Sequence, residues 1–248
     1  MFITRAHAQE NERNKKLYLR ELYINESGIK ASDCQYFLAF RLTSNYNLLH
    51  QLQKCQNEYL AQDSTVQPML EQLEKKAHIP LNIIQCDETR LEELKKLIGK
   101  VVIKHREELA NPPEIEVRGL GIERTRQCLY QPISIYTNFR NRNFDSKSPF
   151  DERDCWFYYI HQLFEDMLSE SGFETFDHSL SEQMTLFRAK AGHEFKVKLK
   201  YLKPYATALF GVLTRMDLSS LHLCSLKSTE APSEDGFYHI EETYVLNK

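Results

Sequence analysis

Two short segments, far apart in the chain, alternate between apolar and polar residues. They are residues 77–83 and 195–201, and in both the odd-numbered positions are mostly apolar. Because successive side chains of a strand point to opposite faces, this period of two predicts two strands, each with one core face and one water-facing side. The water-facing positions are His78, Pro80 and Asn82 in the first strand and Lys196, Lys198 and Lys200 in the second.

Helical and extended patterns alternate along the rest of the chain. Apolar residues that recur every three or four positions predict helices, and short apolar runs bounded by turn residues predict strands. The predicted helices lie between residues 43 and 59, between residues 87 and 111, at residues 153–171 before the capping glycine Gly172, and around residues 205–216. The predicted strands are residues 36–42, 114–118, 128–136, 218–226 and 237–246, with Gly119-Leu120-Gly121 separating the second from the third.

The order of these elements is similar in the two halves of the chain. Each half has a strand or helix, then one of the alternating strands, then a helix and two further strands. This order favours an α+β architecture with two lobes of mainly antiparallel sheet, helices outside and a central groove. We expect one such domain over residues 34–248, preceded by a charged extension over residues 1–33 that forms a surface helix, a frayed tail or a docking helix for a protein partner.

Composition narrows the range of partners and compartments. The 248 residues are 42% hydrophobic and 27% charged, which is ordinary for a water-soluble globular protein. A net charge of −3 gives no overall basic field, so we expect no DNA partner, and RNA binding would depend on a local patch. The six cysteines lack C-x-x-C spacing, and neither a signal peptide nor a membrane-spanning run is evident. We therefore expect a cytoplasmic and/or nuclear protein with no cofactor, no metal and no membrane partner.

Six short pieces of the sequence occur in the order typical of a known family. They are Phe37-Leu38-Ala39-Phe40-Arg41-Leu42, His78-Ile79-Pro80-Leu81, Gly119-Leu120-Gly121-Ile122, Phe195-Lys196, Leu223-Cys224-Ser225-Leu226 and Gly236-Phe237-Tyr238-His239. From about residue 36 to residue 246 the chain resembles the two-histidine phosphoesterases, which have the LigT-like fold. It is most similar to the phosphoesterase-like central domain of the A-kinase anchoring protein 7 group.

The resemblance implies a His-x-Thr motif on each of two strands that face the groove. One histidine would accept a proton from the attacking hydroxyl, the other would protonate the leaving oxygen, and the two threonine hydroxyls would hold the phosphate. His78 matches the first histidine, but Pro80 stands in place of the first threonine. Lys198 replaces the second histidine and Lys200 the second threonine. Proline has no side-chain donor, and a lysine near its usual pKa of about 10.4 is a poor base. The prediction is therefore a lost active site with no catalytic residue.

Three functions are compatible with these substitutions. The leading one is a catalytically inactive binding module for a nucleotide or RNA phosphate, a protein partner, or both, with ligand-binding residues His78, Lys196, Lys198 and Lys200. The first alternative is an active RNA-end phosphoesterase or cyclic phosphodiesterase that uses His78 and Lys198. The second is a protein-interaction scaffold with a vestigial groove, where a neighbour satisfies His78 and the lysines form a solvated strand face. Anchoring of protein kinase A is not expected, because the resemblance places that function in a helix beyond this domain.

Overall fold

Ten strands and four α-helices make up the part of the chain that the computed structural model describes. The described residues are 34–42, 46–72, 74–111, 115–124, 133–141, 156–176, 183–190, 212–213, 218–227 and 231–246. The strands are β1 (Tyr36–Arg41), β2 (Leu70–Gln72), β3 (His78–Gln85), β4 (Ile115–Arg124), β5 (Ile133–Asn141), β6 (Glu174–Phe176), β7 (Gln183–Ala189), β8 (Val212–Leu213), β9 (Ser220–Ser225) and β10 (Ile240–Val245). The α-helices are α1 (Tyr46–Gln62), α2 (Leu91–Lys104), α3 (Arg106–Ala110) and α4 (Trp156–Glu170).

The strands form two five-stranded sheets in which all neighbouring strands are antiparallel. The first sheet has the order β10-β9-β1-β3-β6 and the second has the order β2-β7-β5-β4-β8. β3 of the first sheet contacts β7 of the second. The pairing of β9 with β10 confirms the C-terminal hairpin predicted from the sequence. Together with the helices, this arrangement confirms the predicted α+β, mainly antiparallel LigT-like architecture.

The main core includes one face of the first sheet and the buried sides of α2 and α4. Leu38 and Phe40 of β1 are fully buried there. The ring of Phe40 packs on the rings of Trp156 and Phe157 in α4, with centroids 5.6 and 6.1 Å apart. The helical pattern predicted between residues 87 and 111 is confirmed: the buried residues of α2, which recur at helical spacing, are Leu94, Ile98, Val101 and Val102. Burial of such side chains supplies most of the favourable free energy of folding.

The opposite face of β1 is buried as well. Phe37 and Ala39 pack with Cys224 of β9 and with Phe237, and these four residues form a second, smaller apolar cluster. Successive residues of a strand point to opposite faces. Because both faces of β1 are covered, its apolar residues occupy both odd-numbered and even-numbered positions. We call the side of the first sheet that bears this cluster, and that also carries His78, the His78 face.

A bulge in β3 changes which residues point to each face. Phe37 pairs with Ile83 but Ala39 pairs with Pro80, so Leu81 and Asn82 together oppose a single residue of β1. An extra residue of this kind reverses the alternation for the rest of the strand. The prediction that Asn82 faces water beside His78 is therefore wrong: Asn82 is fully buried. Its Nδ2 donates to Glu165 Oε2 at 3.0 Å and to the carbonyl oxygen of His161 at 3.3 Å, both in α4.

Several strand boundaries also differ from the sequence-based prediction. Gly119-Leu120-Gly121 does not separate two strands but lies inside β4, which shifts its register with β5 between Arg118 and Leu120. Val212 and Leu213 form β8 by pairing with β4, within the segment predicted to be helical. The remainder of that segment, the extension and the lysine-rich strand lie outside the described residues. Three strands were not predicted: the short edge strands β2 and β6, and β7, a seven-residue strand between β2 and β5.

The end of α4 shows how one glycine fixes a chain reversal. Gly172 has φ 69°, a backbone conformation that glycine adopts without the steric penalty of a side chain. The amide of Phe173 donates to the carbonyl of Leu168 at 2.9 Å, which satisfies a helix-terminal acceptor. This confirms the predicted cap and directs the chain into β6. Within the described ranges, no helix combines the length and the apolar character needed to cross a membrane.

Candidate functional site

Three rows of paired residues cross the His78 face. Directly paired residues of antiparallel strands share a face, so the register shows which side chains are neighbours. The first row pairs His78 with Arg41, the second contains Pro80, Ala39, His222 and Thr243, and the third contains Ile83, Phe37, Cys224 and Ile240. The polar and charged groups lie in the first two rows, and the apolar cluster lies in the third. The chemistry of this face is thus concentrated at the end of the sheet where β3 begins.

His78 is held among aromatic rings. The centroid of its imidazole lies 5.4 Å from the rings of Phe37 and Tyr238 and 6.0 Å from that of Phe237. Its Nδ1 hydrogen-bonds to the carbonyl oxygen of Lys76. Because a carbonyl can only accept, Nδ1 carries the proton, and Nε2 of the neutral ring is left as an acceptor. The ring is therefore fixed in one tautomer.

Burial lowers the pKa of His78 from its usual value near 6.5 to about 4. The hydrogen bond to the Lys76 carbonyl opposes this shift, and the positive charges of Arg188 and Lys76 add to it. Desolvation and nearby cations both disfavour an imidazolium. At pH 7 the side chain is accordingly neutral. It is a weaker base than a histidine in water, and it lacks the Nε2 proton that a general acid would donate.

Arg41 lies directly beside His78. Its guanidinium carbon is 4.5 Å from the centroid of Phe237, and its Nη2 donates to Oδ2 of Asp235. Its Nε is buried and has no hydrogen-bond partner among the described residues. Burial lowers the pKa of Arg41 from its ordinary value, but a guanidinium stays charged at neutral pH. Arg41 therefore brings a positive charge and a buried N–H donor to this face.

A second histidine, His222, lies on the same face. Its Nδ1 is 3.0 Å from Thr243 Oγ1 and its Nε2 is 3.1 Å from Ser220 Oγ, so both ring nitrogens have hydroxyl partners. Burial and, to a smaller extent, the positive charge of Arg41 lower the pKa of His222 from near 6.5 to about 4. His222 is not among the site residues predicted from the sequence. The sequence does carry a signal for it: Leu221 and Leu223 are core residues, so alternation along the predicted strand places His222 on the other face of the sheet.

Two further cations lie close to His78. The Nζ of Lys76 is 4.6 Å from the centroid of the Tyr238 ring. Arg188 belongs to β7 of the second sheet, is exposed, and acts on His78 through its charge. Within the described part of the chain, the one carboxylate that forms an ion pair with Arg41, Lys76 or Arg188 is that of Asp235. Among the described residues, the charges next to His78 are therefore net positive.

The predicted site residues are only partly within the described residues. His78 and Pro80 share the His78 face, as predicted, and Asn82 does not. Lys196, Lys198 and Lys200 lie outside the described residues, so the predicted approach of Lys198 to His78 stays a prediction. Within the described ranges, His, Cys, Asp and Glu side chains form no group of three or more that could hold a metal ion.

Comparison with known protein families matches nearly the whole chain to one of them. Residues 34–246 match the family described as the AKAP7 2′5′ RNA ligase-like domain. The matched range spans both sheets and includes His78 and the C-terminal hairpin. No curated protein is found to match the chain. The family match confirms the resemblance inferred from the six short sequence pieces.

Proposed function

Because this chain belongs to the AKAP7 2′5′ RNA ligase-like domain family, we propose that it is a phosphoesterase-like binding module that holds the phosphate of a nucleotide or RNA end without cleaving it. The observation that carries the proposal is the state of His78. His78 retains the first motif histidine of the family, but it is half-buried next to cations, and desolvation keeps it neutral at pH 7. Lys196, Lys198 and Lys200, in the second alternating segment, are the other proposed phosphate-binding residues.

We expect no cleavage because lysines replace the histidine and the threonine of the second motif. General acid–base catalysis needs two groups that exchange protons near neutral pH. His78, with a pKa of about 4, is a weak base, and Pro80 offers no hydroxyl to hold a phosphate oxygen. At the positions that match the second motif, Lys198 and Lys200 provide positive charge but no group that titrates near neutrality.

Phosphate binding is favoured by the same arrangement. Arg41, Lys76 and Arg188 place three positive charges around His78. A bound phosphate would raise the pKa of His78, because a nearby anion favours the imidazolium. The protonated ring would then donate from Nε2 to a phosphate oxygen while Nδ1 keeps its bond to the Lys76 carbonyl. Charge-assisted hydrogen bonds of this kind are roughly twice as strong as neutral ones.

The first prediction concerns turnover. Purified protein should hydrolyse neither 2′,3′-cyclic nucleotides nor 2′–5′-linked oligonucleotides above the rate of a His78→Ala variant, measured by chromatography of the products. General acid–base catalysis raises a rate by about 10²–10⁴-fold, so the products of even a partly functional site would be detected. Clear turnover by the wild type that disappears in His78→Ala would contradict the proposal and favour an active phosphoesterase.

The second prediction concerns binding of adenosine 5′-monophosphate. Affinity measured by calorimetry should fall as salt rises, because lysine–phosphate contacts release counterions. If two or three lysines take part, the slope of log K against log salt should be about −1.4 to −2, at about −0.7 per contact. The double variant Lys198→Ser/Lys200→Thr should flatten the slope by about 1.4 with little loss of stability.

A matched control is available on an exposed helix surface. Lys100 and Lys104 of α2 are exposed, and the variant Lys100→Ser/Lys104→Thr changes the net charge by the same amount. It should leave the salt slope unchanged. If the nucleotide does not bind even at low salt, or if both double variants behave alike, the groove is vestigial and the protein acts as an interaction scaffold.

A further inference from the structure

We infer that Arg41 is a second anion-binding group of the His78 face, that Asp235 occupies it in the ligand-free protein, and that a ligand phosphate displaces the Asp235 carboxylate. This inference rests on the proposed function and deepens it. It adds a residue of β1 and a loop between β9 and β10 to the proposed site. It also predicts that binding frees that loop.

Arg41 of β1 lies opposite His78 of β3 in the sheet. It is the Cα partner of His78, so the two side chains leave the sheet side by side on the same face. Directly opposite Cβ atoms in antiparallel strands are about 4.5–5.5 Å apart. A phosphate that accepts a hydrogen bond from His78 is therefore within reach of the guanidinium. The planar fork of N–H donors in arginine fits the oxygens of a phosphate group.

The guanidinium of Arg41 is only partly paired within the described part of the chain. Its Nη2 donates to Asp235, whereas its buried Nε has no partner in the described part of the chain. A buried donor without an acceptor is unfavourable, and a phosphate oxygen would supply the missing acceptor. Phe237 covers one face of the guanidinium and limits its movement. The donor fork is thus held in place before any ligand arrives.

The ion pair between Asp235 and Arg41 is a weak one, because the Asp235 carboxylate is exposed to water. The Asp235 side chain is 51% exposed, and exposed ion pairs contribute little because water and salt screen them. Its other oxygen, Oδ1, accepts hydrogen bonds from Ser233 Oγ at 2.7 Å and from the amide of Phe237 at 3.2 Å. Asp235 therefore ties its own loop to β1 through one oxygen. A phosphate with more charge can take over that position.

The experiment compares four variants in binding adenosine 5′-monophosphate. Asp235→Asn keeps the acceptor for Ser233 and Phe237 but removes the charge that competes for Arg41, so affinity should rise about two- to five-fold. Arg41→Gln should weaken binding about ten-fold or more. The double variant Arg41→Gln/Asp235→Asn should bind like Arg41→Gln alone, since Asp235 has no effect without its partner.

Glu234→Gln is the matched control. Glu234 is exposed, adjacent to Asp235 in the same loop, and its neutralisation changes the net charge equally. Its effect on affinity should stay below about 1.5-fold, because exposed charges are screened by water and salt. An increase equal to that of Asp235→Asn would mean that only the overall charge matters, and would overturn the displacement.

Hydrogen exchange gives a second readout that does not depend on affinity. The amide of Phe237 is held by Asp235 and that of Gly236 by the carbonyl of Ser233 at 2.8 Å. Nucleotide binding should speed exchange at residues 236–237 in the wild type, because the loop loses its link to Arg41. The same nucleotide should have no such effect in Arg41→Gln.

The outcomes separate this inference from the proposed function. Binding that needs His78 but does not change in Asp235→Asn and Arg41→Gln would overturn the role of Arg41 and leave the binding module intact. Binding of inorganic phosphate that needs Arg41 and rises in Asp235→Asn, but is indifferent to His78→Ala, would support the inference and overturn the module centred on His78. An absence of binding in the wild type and all variants would overturn both.

Discussion

Replacing Phe237 with alanine is expected to lower the free energy of unfolding by about 3–5 kcal/mol, the range for a fully buried aromatic ring. Phe237 has no exposed surface and belongs to the apolar cluster on the His78 face. Its ring also contacts the ring of Tyr238, with centroids 5.4 Å apart, and the guanidinium of Arg41. Urea unfolding followed by circular dichroism measures the change through the transition midpoint and slope.

Two further variants sharpen this test. Phe237→Leu keeps most of the apolar volume and should lose less than about 1.5 kcal/mol, while it removes the ring beneath Arg41. Ile103→Ala removes an apolar side chain that is 77% exposed on α2, and should change stability by no more than about 0.5 kcal/mol. If Phe237→Ala costs no more than Ile103→Ala, the loop that carries Phe237 does not pack on the sheet, and the site built on it would have to be abandoned.

The elements that the sequence predicts well are those whose apolar residues are buried in the apolar clusters of the protein. In α2 the apolar residues recur at helical spacing because one side of the helix faces the main core. In β1, Leu38 and Phe40 belong to the main core, and Phe37 and Ala39 belong to the smaller cluster. The apolar run of this strand is therefore explained by burial on both faces.

The elements that the sequence does not predict depend on their partners. β6 has three residues, and it is extended because it pairs with the end of β3 at Ile83, Ile84 and Gln85. The glycines at positions 119 and 121 resemble a turn, but pairing with β5 carries them through as part of one long strand. Local composition cannot reveal pairing between segments that are distant in sequence, because the hydrogen bonds of a sheet are not local.

The residues of the candidate site also fall into those that the sequence identifies and those that only the fold brings together. His78 is recognisable from a short motif. Arg41 and Asp235 are separated by 194 positions, and their contact exists only because β1 lies next to β9 and the loop after β9 folds back over it. His222 lies outside the two motif strands, so the motifs do not identify it, although alternation along its own strand places it on the face opposite Leu221 and Leu223. Functional groups supplied by neighbouring strands require the sheet order before they can be assigned.

The bulge in β3 leads to the second large effect on stability. Asn82→Ala is expected to lower the free energy of unfolding by about 2–4 kcal/mol, because it removes two hydrogen bonds and leaves buried acceptors without a donor. The Asn82 amide is the link from β3 to α4, where it meets Glu165 and the carbonyl of His161. A second link runs the other way, from His161 Nδ1 to the carbonyl of Leu81 at 2.8 Å.

An isosteric variant separates the lost hydrogen bonds from the lost volume. Asn82→Asp keeps the shape of the side chain but replaces the amide donor with a second carboxylate next to Glu165. At pH 7 it should be at least as destabilising as alanine, because like charges at a buried position repel and are poorly solvated. Its stability relative to the wild type should recover as the pH falls and the shared site takes up a proton. Burial and the neighbouring carboxylate raise the pKa of such a group in the folded state, so protonation favours folding.

Gln85→Ala, at the end of the same strand, is the control for both variants. Gln85 is only half-buried and pairs through its backbone with Glu174, so its side chain should contribute less than about 1 kcal/mol. If Asn82→Ala and Gln85→Ala have equal effects in urea unfolding, Asn82 would be exposed on the His78 face, as simple alternation predicts. A large difference between them would instead show that the bulge, rather than the residue pattern, decides which face of β3 each side chain occupies.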